Sequence, residues 1–238
     1  MSRYGWPVPR IARSYVALAG ASVLFVALLV TVLVEPGPTT IDAGILLALE
    51  GWRSASMSLF VGRLTDLGGR HLMIPMSTVL VVGVFWRWRR AGFFLAIALL
   101  GSALLNEGMK VLVDRPRPTL VLLVEHARGL SFPSGHSQST MAFALACFLL
   151  VFSARPRWRR WAGLLFILPL VVGWTRTYLG VHYPTDVLAG WCLAAVWVLG
   201  CWTWFRHDEW RPFARGSLRS SASEPAEPGS ADAAPPPG

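Results

Sequence analysis

Two long apolar runs of the sequence are joined by the polar stretch GWTRTYLGVHYPTD, residues 173–186, which is predicted to lie at a membrane boundary. His182 and Asp186 are four residues apart and would share one face of a helix that opens at Tyr183-Pro184. A carboxylate beside an imidazole fixes the tautomer and makes the other ring nitrogen a better nucleophile. Arg176, a short loop upstream, can hold an anion against that nitrogen. A structural His–Asp pair at a helix start is the alternative.

Long apolar runs repeat along the whole chain. Of its 238 residues, 54% are hydrophobic and only 15% are charged, which is unlike a soluble domain of this size. The first and last runs have the roughly 20 apolar residues that a span needs, and the middle ones reach it only if their helices extend into polar flanks. The runs are Ser14–Val34, Leu72–Trp86, Ala91–Leu105, Met141–Phe152, Trp161–Trp174 and Val187–Phe205. The sequence therefore predicts an all-α integral membrane protein, a six-transmembrane helical bundle.

Arginine clusters lie at alternate boundaries of these runs. The formal net charge of +9 would suggest nucleic acid as a partner, but the clusters obey the positive-inside rule if both termini are cytoplasmic. They comprise Arg3, Arg10 and Arg13, then Arg87, Arg89 and Arg90, then Arg155, Arg157, Arg159 and Arg160, then Arg206, Arg211, Arg215 and Arg219. We therefore expect a multi-pass protein of the cell membrane with cytoplasmic termini and no nucleic-acid partner.

Composition divides the chain into three parts. Residues 1–13 are predicted to form a basic cytoplasmic leader, residues 14–206 the membrane domain, and residues 207–238 a cytoplasmic, mostly disordered tail rich in Ser, Ala, Pro and Gly. The first apolar run is too long for a signal peptide and is interpreted as an uncleaved anchor. The segment Ile41–Gly62 is apolar but interrupted by charges, which favours an interfacial or re-entrant helix on the outer side over a seventh span.

With this topology, three polar clusters fall at the outer membrane surface: Lys110–Arg117, Ser134–His136 and Arg176–Asp186. Ionisable groups inside a membrane are costly and mark function by default. One lysine, two arginines, two histidines and one clear carboxylate suit an anion with two or more charges, above all phosphate. Two X-Pro bonds predict that the helix ends within the first cluster, so that Arg117 reaches back towards Lys110. A snorkelling lysine is the alternative for Lys110.

The string Pro133-Ser134-Gly135-His136 is predicted to open a helix. Unpaired backbone N–H groups and the helix dipole favour an anion at such a place, and Gly135 lets the backbone approach it closely. Ser134 can cap the helix or bond the ligand, and His136 can protonate a leaving oxygen. An ordinary helix N-cap is the alternative interpretation.

Read together, the clusters resemble the type-2 phosphatidic acid phosphatase family, which shares its site with the vanadium haloperoxidases. The family pattern is Lys-x6-Arg-Pro, then Pro-Ser-Gly-His, then Ser-Arg-x5-His-x3-Asp. The order and spacing match in Lys110 with Arg117-Pro118, in Pro133-Ser134-Gly135-His136, and in Thr175-Arg176 with His182 and Asp186. Thr175 replaces the usual serine and keeps its hydroxyl.

The resemblance implies a mechanism and a role for each matching residue. His182 would attack phosphorus to form a phosphohistidine, Asp186 would orient His182, and His136 would protonate the leaving group. The phosphoryl oxygens would be held by Lys110, Arg117, Ser134, Gly135 and Arg176. Fixed cations and amides can neutralise the transferring phosphoryl group without Mg²⁺, and the clusters lack the paired carboxylates of a two-metal site. We therefore expect no metal and no cofactor.

A site at the outer surface suits a phosphate whose lipid tail stays among the membrane lipids. The candidates are a lipid phosphate or diphosphate: an undecaprenyl-type polyprenyl diphosphate, phosphatidate or phosphatidylglycerol phosphate. A phosphoryl or head-group transferase with the same intermediate is the alternative. An anion transporter is disfavoured, since the sequence shows no paired, broken spans in two similar halves. Nothing in the sequence separates these lipids or indicates an oligomeric state.

Overall fold

The computed structural model describes residues 8–121, 129–154 and 156–207, and this part of the chain contains helices and no strand. The α-helices are α1 (Val8–Val34), α2 (Thr40–Glu50), α3 (Ala55–Thr65), α4 (Arg70–Arg87), α5 (Arg89–Val113), α6 (Gly135–Ala154), α7 (Arg159–Ala162), α8 (Ile167–Tyr178) and α9 (Pro184–His207). The all-α prediction is thus confirmed. Most of the predicted leader and tail, residues 1–7 and 208–238, lies outside the described residues.

Five segments of the described chain are long and apolar enough to cross a membrane. They are Ser14–Val34, Ala55–Arg87, Arg89–Val113, Gly135–Ala154 and Pro184–Phe205. Both α5 and α6 extend beyond their apolar runs into the polar flanks, which gives each helix the length that is needed to cross a membrane. The protein is therefore a multi-pass, all-helical membrane protein.

The predicted fifth span differs from the other five. Its run, Trp161–Trp174, forms α7, a 3-10 helix at Gly163–Phe166 and the start of α8 instead of one long α-helix. Pro169 explains the interruption, because it has no N–H to donate to the carbonyl four residues earlier. A sixth span therefore stays a prediction.

The segment predicted as one interfacial helix, Ile41–Gly62, is divided into α2 and α3. The break follows Glu50, and Ser54 caps the second helix by accepting a hydrogen bond from the Met57 amide at 3.3 Å. A 3-10 helix at Asp66–Gly68 then links α3 to α4 within one candidate span. Only α2 therefore remains a short helix outside the five candidate spans in this region.

The bundle core is formed by α5, α6 and α9, with α1, α4 and α8 packed around it. Phe94 of α5 is fully buried and meets Trp202 and Phe205 of α9 edge-on, with ring centroids 5.2 and 5.9 Å apart. Gly173 of α8 leaves no room for a Cβ, which would lie 2.4 Å from Trp191 Cζ2 on α9. These contacts bring the end of α5, the start of α6, the end of α8 and the start of α9 together.

Candidate active site

The end of α5 brings the first polar cluster together. The helix ends at Val113, before the two X-Pro bonds that predicted its end within this cluster. Asp114, which follows the helix, adopts the left-handed conformation with φ 50°. The chain then turns back, so that Lys110 and Arg117 line the same cavity. Arg117 Nη1 donates to the carbonyl of Val181 at 2.7 Å, which ties this cluster to the third one.

All three clusters meet at one cavity of about 720 Å³ between α4, α5 and α6. Six of the eight residues predicted for the site line it: Lys110, Arg117, Gly135, His136, Arg176 and His182. The two predicted residues that are absent from its wall, Ser134 and Asp186, are fully buried behind it. The imidazoles of His136 and His182 therefore open into the same space.

The side chain of His182 is held between a carboxylate and a guanidinium. Its Nδ1 lies 3.5 Å from Asp186 Oδ2, and its Nε2 lies 3.3 Å from Arg117 Nη1. Because an arginine can only donate, Nε2 must accept, which assigns the ring proton to Nδ1 facing Asp186. Nε2 is thus the unprotonated ring nitrogen, and its lone pair accepts the hydrogen bond from Arg117 on the cavity side.

Burial lowers the pKa of His182 to about 4, against the opposing effect of the Asp186 carboxylate, and Arg176 and Arg117 lower it further. Only 2% of the residue is exposed, so that water does little to stabilise a charged ring. The imidazole is consequently neutral near neutral pH, which is the form that a nucleophile needs.

Arg176 is held by a residue that the sequence analysis did not identify. Its Nη1 donates to Thr65 Oγ1 at 3.0 Å, and Thr175 Oγ1 donates to the same hydroxyl at 3.0 Å. Thr175 thus contributes its hydroxyl in the position where the resembling family has serine. The guanidinium is only 2% exposed yet borders the cavity, which places a fixed positive charge beside His182.

A buried chain of amide groups positions the start of α6 against α5. Asn106 Nδ2 donates to Gln138 Oε1 at 2.7 Å and to the Pro133 carbonyl at 3.3 Å, and Gln138 Nε2 donates to the Ser102 carbonyl at 2.7 Å. Ser134 lies just before the helix, with its Oγ 3.0 Å from Ser137 Oγ. Neither amide was assigned a role from the sequence, although polar side chains at membrane depth mark function by default.

Gly135 brings the first two clusters into contact, so a larger residue at this position should impair turnover. A Cβ at this position would lie 3.1 Å from Asn106 Oδ1 and 3.5 Å from Lys110 Nζ. Gly135→Ala would therefore displace the Asn106 side chain by a few tenths of an ångström and place a methyl group against Lys110, and we expect kcat/KM to fall roughly tenfold. Gly108→Ala on α5 is the matched control, because no atom lies within 4 Å of its added Cβ. Wild-type kinetics for Gly135→Ala would show that this close approach has no part in turnover.

Asp186 has further buried partners that the sequence did not reveal. Its Oδ1 accepts from Arg115 Nη1 at 2.6 Å, and its Oδ2 accepts from the Tyr183 amide at 2.9 Å and from the Ser131 hydroxyl. Arg115 also contacts Asp42 on α2, Nη2 to Oδ2 at 3.2 Å. A sequence signal did exist for Asp42, since an ionisable residue in an apolar segment is unusual.

The sequence model of one protein family, described as the PAP2 superfamily, matches residues 91–210, which contain all three clusters. The chain belongs to this superfamily. The recognition made from the three motifs is thereby confirmed, and with it the prediction of a phosphoric ester hydrolase.

Named relatives of this PAP2 protein are phosphatases. It is 29% identical over 166 residues to phosphatidylglycerophosphatase B of Bacillus subtilis (strain 168), an alignment covering 67% of this chain and 79% of the relative. It is 31% identical over 140 residues to the undecaprenyl-diphosphatase of Sulfolobus acidocaldarius, covering 57% of this chain and 64% of that protein.

The fold of this PAP2 protein also resembles a solved structure. The crystal structure of a transmembrane PAP2-type phosphatidylglycerolphosphate phosphatase from Bacillus subtilis superimposes with a TM-score of 0.66 and 25% identity, covering 82% of this chain and 98% of that one. The predicted helical membrane architecture is thus shared with a phosphatase of the same family.

Proposed function

We propose that this protein is an integral-membrane lipid phosphatase that hydrolyses a lipid phosphate or diphosphate through a phosphohistidine at His182, without a metal ion. The observation that carries the proposal is the orientation of His182. Its Nδ1 faces the buried Asp186 and its Nε2 faces a cavity bordered by Lys110, Arg117 and Arg176. A nucleophile, its orienting carboxylate and three cations thus surround one space that suits a phosphoryl group.

The proposed reaction has two displacements at phosphorus. In the first, the Nε2 lone pair of His182 forms the N–P bond while the bond to the leaving oxygen breaks, and that oxygen takes a proton from His136. Positive charge that develops on the His182 ring is stabilised by Asp186 through Nδ1–H. In the second, water attacks phosphorus, the N–P bond breaks, and His136 accepts the proton released by the water.

The remaining predicted residues bind the phosphoryl oxygens in this proposal. Lys110, Arg117 and Arg176 supply fixed positive charge, and the start of α6 at Gly135 supplies backbone amides and the positive end of a helix dipole. Ser134, which the resemblance implied as a ligand of a phosphoryl oxygen, is instead proposed to support that helix start from behind the cavity wall, because it is fully buried with its Oγ 3.0 Å from Ser137 Oγ. In the described residues, no three side chains of His, Cys, Asp and Glu form a group that could hold a metal ion.

The shape of the cavity favours a lipid over a soluble phosphate. Away from the charged residues it continues between α4, α5 and α6, where its wall becomes mainly apolar and includes Val81, Val82, Leu99, Leu100 and Ala142. A volume of about 720 Å³ exceeds what a phosphate group fills and is within the roughly 300–1,000 Å³ of small-molecule sites. Phosphatidate, phosphatidylglycerol phosphate and a polyprenyl diphosphate each combine such a head with a hydrocarbon chain.

The direction of the helices supports an extracytoplasmic site. Arg87 and Arg89 lie where α4 meets α5, and Arg159 and Arg160 lie between α6 and α8, at the helix ends opposite to the cavity. The positive-inside rule assigns those basic ends to the cytoplasm. If residues 159–178 cross the membrane in addition to the five candidate spans, the chain has six spans. Both termini are then cytoplasmic, and the phosphate group is bound at the outer face.

A substrate panel assayed in EDTA tests the proposal. Purified protein in detergent is expected to release inorganic phosphate from at least one of the three candidate lipids at an undiminished rate in EDTA, because the chain's own cations replace a metal. Loss of turnover in EDTA that is restored by added Mg²⁺ would contradict a metal-independent reaction. Label appearing on a second lipid, and not as inorganic phosphate, would instead identify a transferase.

A further inference from the structure

Behind the cavity lies a buried ion cluster formed by Arg115, Asp42 and Asp186, all three fully buried. Arg115 Nη1 donates to Asp186 Oδ1 at 2.6 Å, and its Nη2 donates to Asp42 Oδ2 at 3.2 Å. The guanidinium also donates to the carbonyls of Pro36 and Gly37, at 3.1 and 2.7 Å. Each of the three guanidinium nitrogens of Arg115 thus donates to at least one partner, and Nη2 donates to both Gly37 and Asp42.

Asp42 makes a second set of contacts, to the first turn of α9. Its Oδ1 accepts from the Thr185 amide at 3.0 Å, and its Oδ2 accepts from the Thr185 hydroxyl at 2.9 Å. The same hydroxyl accepts from Arg115 Nη1 at 2.8 Å. A carboxylate on α2 therefore satisfies a donor at the start of α9, one residue before Asp186.

We propose that Asp42 and Arg115 are positioning residues for the reaction at His182. Asp42 fixes the guanidinium, Arg115 then occupies Asp186 Oδ1, and Asp186 Oδ2 is thereby directed to the Nδ1 of His182. The inference rests on the proposed function, since it assigns His182 as the nucleophile. The matched family segment begins at residue 91, so Asp42 lies outside it, and Arg115 is not among the residues of the quoted motifs.

The charge of the cluster matters as well as its geometry. Two carboxylates and one guanidinium leave a net charge of about −1 behind the His182 ring at neutral pH. On the other side the ring faces Arg117, Arg176 and the imidazole of His136. The buried negative charge therefore opposes the positive charges of Arg117 and Arg176 and favours the positive charge that develops on the ring when the N–P bond forms.

Asp42→Asn tests this charge with almost no change in shape. Removal of the negative charge should lower the pKa of His182, so that the acid limb of kcat/KM, below which the ring is protonated, moves to lower pH. The turnover number kcat should fall roughly tenfold to a hundredfold through misplacement of Asp186, while KM stays within about twofold because no phosphate contact is removed. The assay measures phosphate release from the best lipid of the panel in detergent, over a range of pH.

Three further variants separate a positioning role from a loss of folding. Asp42→Glu keeps the charge, so its acid limb should match the wild type even where kcat is lower. Asp114→Asn is the matched control, since Asp114 is exposed and adjacent to Arg115 and asparagine also accepts a positive φ. If Asp42→Asn is not monodisperse, Thr185→Ala decides. It removes the hydroxyl that bonds both Asp42 Oδ2 and Arg115 Nη1 without changing any charge, and it should lower kcat several-fold at unchanged KM.

The outcomes distinguish this inference from the proposed function. A folded Asp42→Asn protein with wild-type kcat and an unmoved acid limb would overturn the positioning role, as would wild-type kcat in Thr185→Ala. Turnover retained by His182→Ala in the same assays would remove the proposed nucleophile, whatever the Asp42 variants show. An inactive His182→Ala protein beside a wild-type-like Asp42→Asn protein would leave the proposed function intact and refute only the positioning pair.

Discussion

The His182→Ala variant should lose at least about a thousandfold in kcat for every lipid phosphate that the wild type hydrolyses, because alanine cannot form the N–P bond. The cavity cations would remain, so substrate should still bind with a similar affinity. Phosphate release in detergent measures the first effect, and competition with a labelled substrate analogue measures the second. His71→Ala is the matched control, as His71 is an exposed imidazole near the start of α4.

Trapping the phosphorylated protein tests the role of His182 without a rate measurement. Wild-type protein quenched during turnover of a ³²P-labelled lipid phosphate should carry label that is released by acid and retained in alkali, the behaviour of a phosphoramidate bond. The label should be absent from His182→Ala and present in His71→Ala. Label found on a hydroxyl or carboxyl residue, or full turnover in a folded His182→Ala protein, would contradict the phosphohistidine.

The convergence of the three clusters could be predicted from the sequence because each lies next to a helix end. The X-Pro bonds that follow Asp114 end α5, Ser134 immediately precedes α6, and Pro184 begins α9, so the positions of these ends depend on local preferences of the chain. The six apolar runs, with arginine clusters at alternate boundaries, then indicated that these helix ends lie on the same side of the membrane. The cavity formed by Lys110, His136 and His182 is consistent with that prediction.

The supports of the site could not be predicted in the same way, because they depend on contacts between distant parts of the chain. Asp42 is 143 residues from Thr185, and Thr65 is 111 residues from Arg176. No local pattern shows that an acidic residue in an apolar helix is paired with an arginine beyond the third span. The interruption near Pro169 was also missed, since hydropathy does not distinguish an α-helix from a 3-10 helix.

Arg115→Met should be the most destabilising of these substitutions. It leaves Asp42 and Asp186 buried near each other without a cation, and removal of one partner from a buried ion pair costs about 3–5 kcal/mol. For a chain of this size that corresponds to a lowering of Tm by roughly 10 °C, or to loss of monodisperse protein. Arg63→Met, an exposed arginine in the last turn of α3, is the control and should change stability by no more than ~0.5 kcal/mol.

A double-mutant cycle shows whether the lower Tm of Arg115→Met arises because the two carboxylates lose their compensating positive charge. In the Arg115→Met background, Asp42→Asn removes one of two repelling carboxylates and should raise Tm, whereas in the wild-type background it removes a partner of Arg115 and should lower Tm. The sign of the Asp42→Asn effect thus depends on the residue at position 115. Equal effects in both backgrounds would mean that the two side chains stabilise the fold independently, so that Arg115 would act through packing against Tyr183, whose ring centroid is 4.1 Å from its Cζ.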